Sequence, residues 1–326
     1  MPDFRVSISM TRKVRVAVIG TGHLGSIHAR IYAQMPEVEL VGIVDTDPLV
    51  ANKVATECGC EIVAPGTTLT GTVDAVSVAV PTSLHRQVAE PILADGINML
   101  LEKPVAHSLE DARFIVKSAE KAGVILQIGH LERFNAGVIR VSEELDHPRF
   151  IEVHRLGKFV ERVSDVDVVT DLMIHDIDIV LSLVLSELKY ISAVGTRVIS
   201  NHVDIANARL EFENGAIANV TASRVSRTTF RRMRIFGDSC YLGLNFRGQQ
   251  IDVVRPGVPP ENGGFAPMLS ETINVTPKPP LDAELQHFID CVRTGRLPLV
   301  SGAEGVRALE VAHEVRARID ESMQAK

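Results

Sequence analysis

The chain has 326 residues, 45% of them hydrophobic and 23% charged, with a formal net charge of −7. That length exceeds one average domain, so two domains with substantial cores are expected. The acidic balance argues against a general nucleic-acid or membrane-surface role, and no apolar run is long enough to span a bilayer.

The first predicted element is a β-branched apolar run, Val14 to Ile19, which breaks into Gly20-Thr21-Gly22-His23-Leu24-Gly25. Helical spacing follows, with Leu24, Ile27, His28 and Ile31 on one face. In such a strand–turn–helix the three glycines have separate tasks. Gly20 permits the tight bend, Gly22 leaves room for a pyrophosphate, and Gly25 lets the helix lie close on its strand. The phosphates are expected at the helix N-terminus, where unbonded N–H groups favour an anion. The next strand, Val38 to Val44, stops at Asp45, twenty residues after Gly25, where an acid is expected to hold the ribose hydroxyls. A carboxylate there repels a 2′-phosphate, and Thr46-Asp47 supply no arginine, so NAD is favoured over NADP.

Alternation of strand and helix continues. A helix is expected over Pro48 to Cys58, a short strand near Glu61 to Val63, and a strand over Val73 to Val80 ending at Pro81-Thr82-Ser83. A helix then runs to Ala94. The strand Ile97 to Leu101 ends at Glu102-Lys103-Pro104, Ser108 opens a helix to Ala122, and Val124 to Ile128 is one more strand. This is an α/β, doubly wound parallel sheet of the Rossmann type, whose ligands bind beyond the carboxyl ends of the strands. We assign it residues 11–128.

Residues 129–326 have another rhythm. A helix from Phe134 to Leu145 leads to a strand, Phe150 to Leu156, and then to a long helix, Val168 to Leu185. Alternating segments follow at Ile191–Ile199, Val203–Phe212, Ala216–Val225, Phe230–Phe236 and Tyr241–Phe246, with Asn214-Gly215 as a hairpin turn. These describe an α+β domain with a mostly antiparallel sheet. Pro256 to Pro267 and Thr276 to Pro280 are expected loops, and helices at Leu281–Arg293 and Ala303–Met323 close the chain. The four cysteines (Cys58, Cys60, Cys240, Cys291) have neither metal-ligand spacing nor a disulfide framework, which fits a reducing cytoplasm. The first nine residues lack a signal-peptide shape. Met1 to Ser9 read as a loose extension before Met10 or as an artefact of the chosen start site.

Two groups carry candidate chemistry. On a regular helix Asp171, His175 and Asp178 stand at i, i+4 and i+7, so one face carries two carboxylates and an imidazole. A carboxylate can orient the ring and raise its basicity, which suits proton abstraction from a hydroxyl. The same pattern also fits a core histidine, a solvent-facing polar stripe or a two-carboxylate, one-histidine metal set; we expect no metal. Lys103, at a strand exit and fixed by Pro104, points towards the nicotinamide position; an ordinary surface lysine is the bland alternative.

The segments GTGHLG with Asp45, VPTSLH at Val80 to His85, EKP at Glu102 to Pro104, D-x-x-x-H-x-x-D at Asp171 to Asp178 and the closing HFIDCVRTGRLPLVSG at His287 to Gly302 resemble the glucose–fructose oxidoreductase / inositol dehydrogenase (Gfo/Idh/MocA) family over nearly the whole chain. The resemblance implies a Rossmann domain plus an open-faced sheet used for homo-oligomerisation as a dimer or tetramer. It also implies NAD(P)-dependent oxidation or reduction of a sugar or cyclitol hydroxyl. By this likeness Lys103 and His175 are the proton-handling pair, facing each other across the nicotinamide, and Asp171 helps orient the substrate. Gly20, Gly22, His23, Leu24, Gly25, Asp45 and Pro81 hold the cofactor, with Thr82, His85 and Glu102 bordering its nicotinamide. GHLERFN at Gly129 to Asn135 and DLMIHDIDIV at Asp171 to Val180 resemble the branch that oxidises the 3-hydroxyl of UDP-N-acetylglucosamine to a ketone. An inositol or free sugar as substrate, or a dinucleotide-binding regulator without chemistry, are the alternatives. Lys103 and His175 together count against the regulator.

Arg133 and Arg155 are candidate substrate ligands, because a guanidinium pairs well with phosphate; a surface ion pair is the alternative for each. The run Arg224, Arg227, Arg231, Arg232 and Arg234 reads as a solvated face, a diphosphate-binding rim or part of a subunit contact.

Overall fold

The computed structural model describes residues 12–159, 167–261 and 263–324; the extension Met1 to Ser9 lies outside them. The chain divides into two compact units. The first extends to Leu131 and also takes in Leu281–Val306; the second comprises Glu132–Pro280 and the chain from Arg307. Instead of one break at Gly129, the chain crosses at Leu131 and later returns. The return has a packing cause: Leu285, Phe288 and Ile289 of a late helix are wholly buried in one core with Val14, Val16, Val18, Ala29 and Tyr32.

In the first unit, strands β1 (Val14–Ile19), β2 (Val38–Val44), β3 (Glu61–Ile62), β4 (Ala75–Val78), β5 (Asn98–Glu102) and β6 (Leu126–Gly129) form one sheet. Its order is β3-β2-β1-β4-β5-β6, with every pairing parallel. The helices between them are α1 (His23–Gln34), α2 (Pro48–Cys58), α3 (His85–Ala94) and α4 (Leu109–Ala122). Their limits are locally encoded. Asp47 accepts from the N–H groups of Leu49 and Val50 to open α2, with Pro48 in the first turn, and Gly59 ends it at φ 68°. Ser108 caps α4 through the Asp111 N–H, and Gly123 closes it at φ 66°. The expected strand Val73–Val80 contracts to β4. Val80 leads instead into a 3-10 turn, Thr82–Leu84, ahead of α3.

The second unit is built on an eight-stranded sheet of β7 (Pro148–Leu156), β8 (Leu188–Thr196), β9 (Ile205–Phe212), β10 (Ile217–Ser223), β11 (Phe230–Gly237), β12 (Tyr241–Asn245), β13 (Gln250–Pro256) and β14 (Met268–Asn274). The order is β14-β13-β12-β11-β7-β10-β9-β8, antiparallel except where β7 pairs with β10. Helix α5 (Ala136–Glu144) packs on β12 and β13, and α6 (Ile174–Leu183) on β7 and β10. Inward residues such as Ile151, Val153, Ala218 and Val220 are buried, while Glu152, His154, Asn219 and Thr221 on the opposite face stay partly accessible. Two strands, β13 and β14, were not anticipated. Conversely, the strand expected over Ile191–Ile199 ends at Thr196, because the Val198 and Ile199 N–H groups turn to the Asp204 carboxylate, at 2.8 and 2.7 Å. Helix α7 (Pro280–Thr294) and α8 (Gly302–Gln324) end the described chain.

Candidate active site

The glycine turn follows β1 in the first unit. Gly20 has φ 83°, and a side chain there would strike Ala79 and Val80. A Cβ on Gly25 would fall 1.8 Å from the Gly20 carbonyl oxygen, so the start of α1 touches the turn directly. At Gly22 the opposite holds: a Cβ would meet nothing within 4 Å. No side chain caps α1. The N–H groups of His23, Leu24 and Gly25 therefore begin the helix without intrahelical acceptors, beside open space. Asp45, at the end of β2, accepts from the Thr21 N–H at 2.6 Å, the Thr21 hydroxyl at 2.8 Å and the Asp47 N–H at 2.9 Å. Burial by itself would raise the Asp45 carboxyl, but these donors outweigh it and hold the group below its ordinary value. A fixed, ionised acid beside an uncapped, uncrowded helix start fits an adenine dinucleotide.

Pro81 and Thr82 lie just past β4, and Lys103 just past β5, where the Lys103–Pro104 peptide is cis. His85 is buried, with Nδ1 3.1 Å from the Val105 oxygen and Nε2 3.1 Å from the Val80 oxygen. It ties the loop carrying Thr82 to the loop carrying Lys103. Burial lowers its pKa, against the opposing pull of the two carbonyls. Glu102 also turns inward. Its Oε1 lies 3.2 Å from His28 Nε2, while His28 Nδ1 lies 2.7 Å from the Ser77 hydroxyl. Tyr32 is wholly buried, and burial pushes its hydroxyl up. The likeness put His85 and Glu102 at the nicotinamide; the neighbours of their side chains within the protein are Val80 and Val105 for His85 and His28 for Glu102.

In the second unit the helix bearing Asp171 and His175 begins with a π-helical turn, Val169–Met173, in which the Ile174 N–H reaches back to the Val169 oxygen. Only from Ile174 is it α-helical. The i, i+4 relation read for Asp171 and His175 is therefore not that of a regular helix, because the wider turn changes the angular offset between them. Asp167 caps the start, accepting from the Val169 and Thr170 N–H groups at 2.9 and 3.0 Å. Asp171 is half-buried, whereas His175, Asp176 and Asp178 are buried.

The arginines are held by acids. Arg155 Nε and Nη2 each lie 2.7 Å from an Asp176 oxygen, and its Nη1 is 3.6 Å from Glu132. Arg133 Nη1 is 3.4 Å from Asp178. Arg155 thus clamps β7 to α6 immediately beside His175. Burial lowers the Arg155 pKa, but Asp176 and Glu132 prevail and raise it. Burial likewise works against the Glu132 carboxylate, which Arg231 and Arg155 nevertheless hold below the usual range. The five-arginine run is not a plain solvated face. Arg224 pairs with Asp204, Arg231 with Glu132, Arg232 with Asp252 and Arg234 with Glu152, while Arg227 is exposed. Sequence reading missed Glu132 and Asp176; the only available signal was that each acid neighbours a residue already singled out. Among the described residues no group of three or more His, Cys, Asp or Glu side chains is placed to hold a metal ion, and no helix is long and apolar enough to cross a membrane.

A parallel sheet with this turn, acid and strand-end lysine, joined to a second unit with a buried histidine helix, defines a dinucleotide-binding oxidoreductase. The model of the oxidoreductase family with an NAD-binding Rossmann fold matches residues 14–130, and that of the GFO/IDH/MocA C-terminal domain matches residues 138–242. The chain belongs to the Gfo/Idh/MocA family. It is 34% identical to the UDP-N-acetylglucosamine 3-dehydrogenase of Acidithiobacillus ferrooxidans over 95% of this chain and 99% of that protein. A solved structure of that enzyme superposes with a TM-score of 0.88 at 33% identity, covering 95% of this chain and 98% of the other. The scyllo-inositol 2-dehydrogenase (NAD(+)) of Bacillus subtilis is 28% identical over 93% of each chain. The protein is accordingly an NAD-binding dehydrogenase of the class that acts on CH–OH groups.

Proposed function

We propose that the enzyme oxidises the 3-hydroxyl of UDP-N-acetylglucosamine to a ketone. The observation that carries this reading is its near full-length similarity, at 34% identity, to an enzyme of that name. NAD is proposed over NADP, because the ionised Asp45 suits ribose hydroxyls and opposes a 2′-phosphate. Bound NAD supplies the hydride acceptor. The chain's own tasks are then four. The Gly22 side of the turn and the start of α1 take the pyrophosphate. Pro81 and Thr82 border the nicotinamide, with His85 and Glu102 bracing their loops. Asp171 orients the sugar. Lys103 and His175 handle the hydroxyl proton, so that its departure is coupled to loss of hydride from the same carbon. Arg155 keeps His175 in place through Asp176, and Arg133 does the same through Asp178.

The uncovered face of the eight-stranded sheet carries exposed Tyr190, Val194 and Phe236, and we assign it to a homo-oligomer, dimer or tetramer. Four free cysteines fit a cytoplasmic location.

The test is NADH absorbance, with mass spectrometry of the sugar product, after mixing protein and NAD with UDP-N-acetylglucosamine, other UDP-sugars, myo-inositol or scyllo-inositol. A ketone from UDP-N-acetylglucosamine supports the reading. Turnover confined to inositols would replace the substrate, and no turnover with any of them would favour a dinucleotide-binding regulator. Lys103→Ala and His175→Ala are each expected to slow turnover by roughly 10²–10⁴-fold. Full activity in either variant removes that residue from the proton path.

A further inference from the structure

The His85 imidazole, 1% exposed at the start of α3, faces two oxygens that can only accept. Nδ1 lies 3.1 Å from the Val105 carbonyl oxygen and Nε2 3.1 Å from that of Val80. A neutral imidazole carries one N–H, and its other nitrogen is an acceptor. It can serve one of these carbonyls and must turn a lone pair towards the other. The imidazolium carries two N–H groups and serves both. One proton thus decides whether the ring makes one bridge or two. The bridges join particular loops: Val80 directly precedes Pro81 and Thr82 after β4, and Val105 follows Lys103-Pro104 after β5.

The surroundings pull the ring's charge both ways. Burial disfavours the imidazolium and holds the ring below the usual histidine value, while the Val105 and Val80 carbonyls, the Glu102 carboxylate and the Pro104 carbonyl all favour it. Of the elements packed against α3, the 3-10 turn and β4 bring no charged side chain, and β5 brings Glu102, whose Oε1 is 3.2 Å from His28 Nε2 on α1. Helix α4 brings Asp111, already bonded to Arg86 and Ser108, and its other charged side chains are exposed. The loop after β5 adds Lys103, half-buried, and His107, exposed. With burial and acceptors opposed, the ring changes its charge, and with it its bonding, in mildly acid solution.

We infer that His85 is a positioning residue operated by its own proton: the charged ring clasps the Lys103 loop to the Thr82 loop, and the neutral ring lets one of the two go. The inference rests on the reading that these loops border the nicotinamide, and adds a proton-linked control of that border. A cofactor that needs both loops in place binds the clasped form more tightly, and by linkage its binding favours the charged ring. Affinity therefore rises as pH falls through the titration of His85, by at most about tenfold per pH unit because one proton is involved.

The experiment is fluorescence titration of the full chain with NADH, from about pH 5 to about pH 8.5, on wild type and on His85→Gln, whose amide does not titrate in that range. ADP-ribose, followed by calorimetry, is the companion ligand, with the pyrophosphate but no nicotinamide. Wild type should bind NADH roughly three- to tenfold more tightly at about pH 5.5 than at about pH 8, the gain of one charge-assisted bond. In His85→Gln that gain should shrink below about twofold, while ADP-ribose gives the same pH curve in both proteins. Other histidines, exposed His23 among them, act alike in the two and cancel. Nitrogen-15 spectra of histidine-labelled wild type, with the His85 signals identified by their loss in the variant, should show the ring passing from one protected N–H to two on acidification. His85→Asn is the fallback for a misfolded glutamine variant. Parallel NADH curves in the two proteins overturn the inference, as does a ring that keeps a single N–H throughout, or an ADP-ribose curve altered as much as that of NADH. A ring that gains its second N–H in a protein that does not bind NADH would sink the cofactor reading and leave the clasp standing. Parallel NADH curves in an enzyme that oxidises UDP-N-acetylglucosamine would do the reverse.

Discussion

The glycine turn allows a sharp separation of folding from cofactor binding. In Gly25→Ala the new methyl would lie 1.8 Å from the Gly20 oxygen, 2.9 Å from its carbonyl carbon and 3.3 Å from the Ala79 methyl. The start of α1 must then withdraw by roughly 1 Å from a turn set on fully buried strands, an overpacking cost of about 1–3 kcal/mol or more. For a unit of this size that is a fall in melting temperature of roughly 2–12 °C. In Gly22→Ala the methyl meets nothing within 4 Å and the backbone is extended. Without nucleotide its melting temperature should stay within about 2 °C of wild type, shifted upward if at all, because alanine restricts the unfolded chain. The same methyl occupies the space assigned to the pyrophosphate, so NADH affinity should fall by about tenfold or more, at least 1.4 kcal/mol. Calorimetric melting of the nucleotide-free protein and fluorescence titration with NADH measure the two effects. Normal NADH affinity in Gly22→Ala would refute the assignment of that open side to phosphate, and an undiminished melting temperature in Gly25→Ala would refute the close helix–turn contact.

Two further predictions concern the second unit. Arg155→Met strands Asp176 in the interior, while Glu132 keeps Arg231 at 2.8 Å, and should cost about 3–5 kcal/mol in chemical denaturation, with much of the loss recovered in Arg155→Met/Asp176→Leu, where both charges of that pair are gone; a single variant within about 1 kcal/mol of wild type would show the pair to be idle. Asp204 accepts from the Val198, Ile199 and Ser200 N–H groups and from Arg224. Burial opposes its ionisation, but those backbone N–H groups and the Ser200 hydroxyl hold its carboxyl well below the ordinary value. A lowered carboxyl contributes stability above the unfolded-state pKa, about 4, and loses it as pH falls through the folded one. Asp204→Asn should therefore be less stable at neutral pH by about 1–3 kcal/mol, with the gap to wild type closing below about pH 4. A gap that persists undiminished in acid would contradict this.

What could be read from the sequence depended on how local its cause was. The turn, Asp45 and the strand-end motifs were legible because fixed spacings place them, and the caps Asp47 and Ser108 mark their helices unaided. β14 was not legible: nearly all of Met268–Asn274 is exposed, so no alternation marks it. β13 offered only Ile251 and Val253 as inward residues. The π-helical turn at Val169–Met173 leaves no cue in Val-Thr-Asp-Leu-Met, because it depends on what the helix packs against. Partners were also hidden. Arg155 was conspicuous as a phosphate-type residue, yet nothing in the chain order says that an acid 21 positions later claims it. Helix α7 was recognisable as amphipathic, but its apolar stripe does not say that it joins the Val14–Ile19 core.

The groups expected to touch ligand are each held by a neighbour that is not. Thr21 and Asp45 fix one another, His85 joins the Thr82 and Lys103 loops, and Asp176 and Arg155 lock the helix at His175. A buried ion pair is a poor source of stability, since apolar side chains of similar volume often do as well. Such pairs do specify direction: a bidentate guanidinium–carboxylate bond has one good geometry, whereas leucine against leucine has several. Hydride transfer depends on angles and on separations of a few tenths of an ångström, and a loosely supported site loses rate before it loses affinity. Replacing Arg155 and Asp176 together by apolar residues should therefore restore stability more fully than turnover, with the shortfall in kcat. If activity returns in step with stability, the ion pair serves the fold alone.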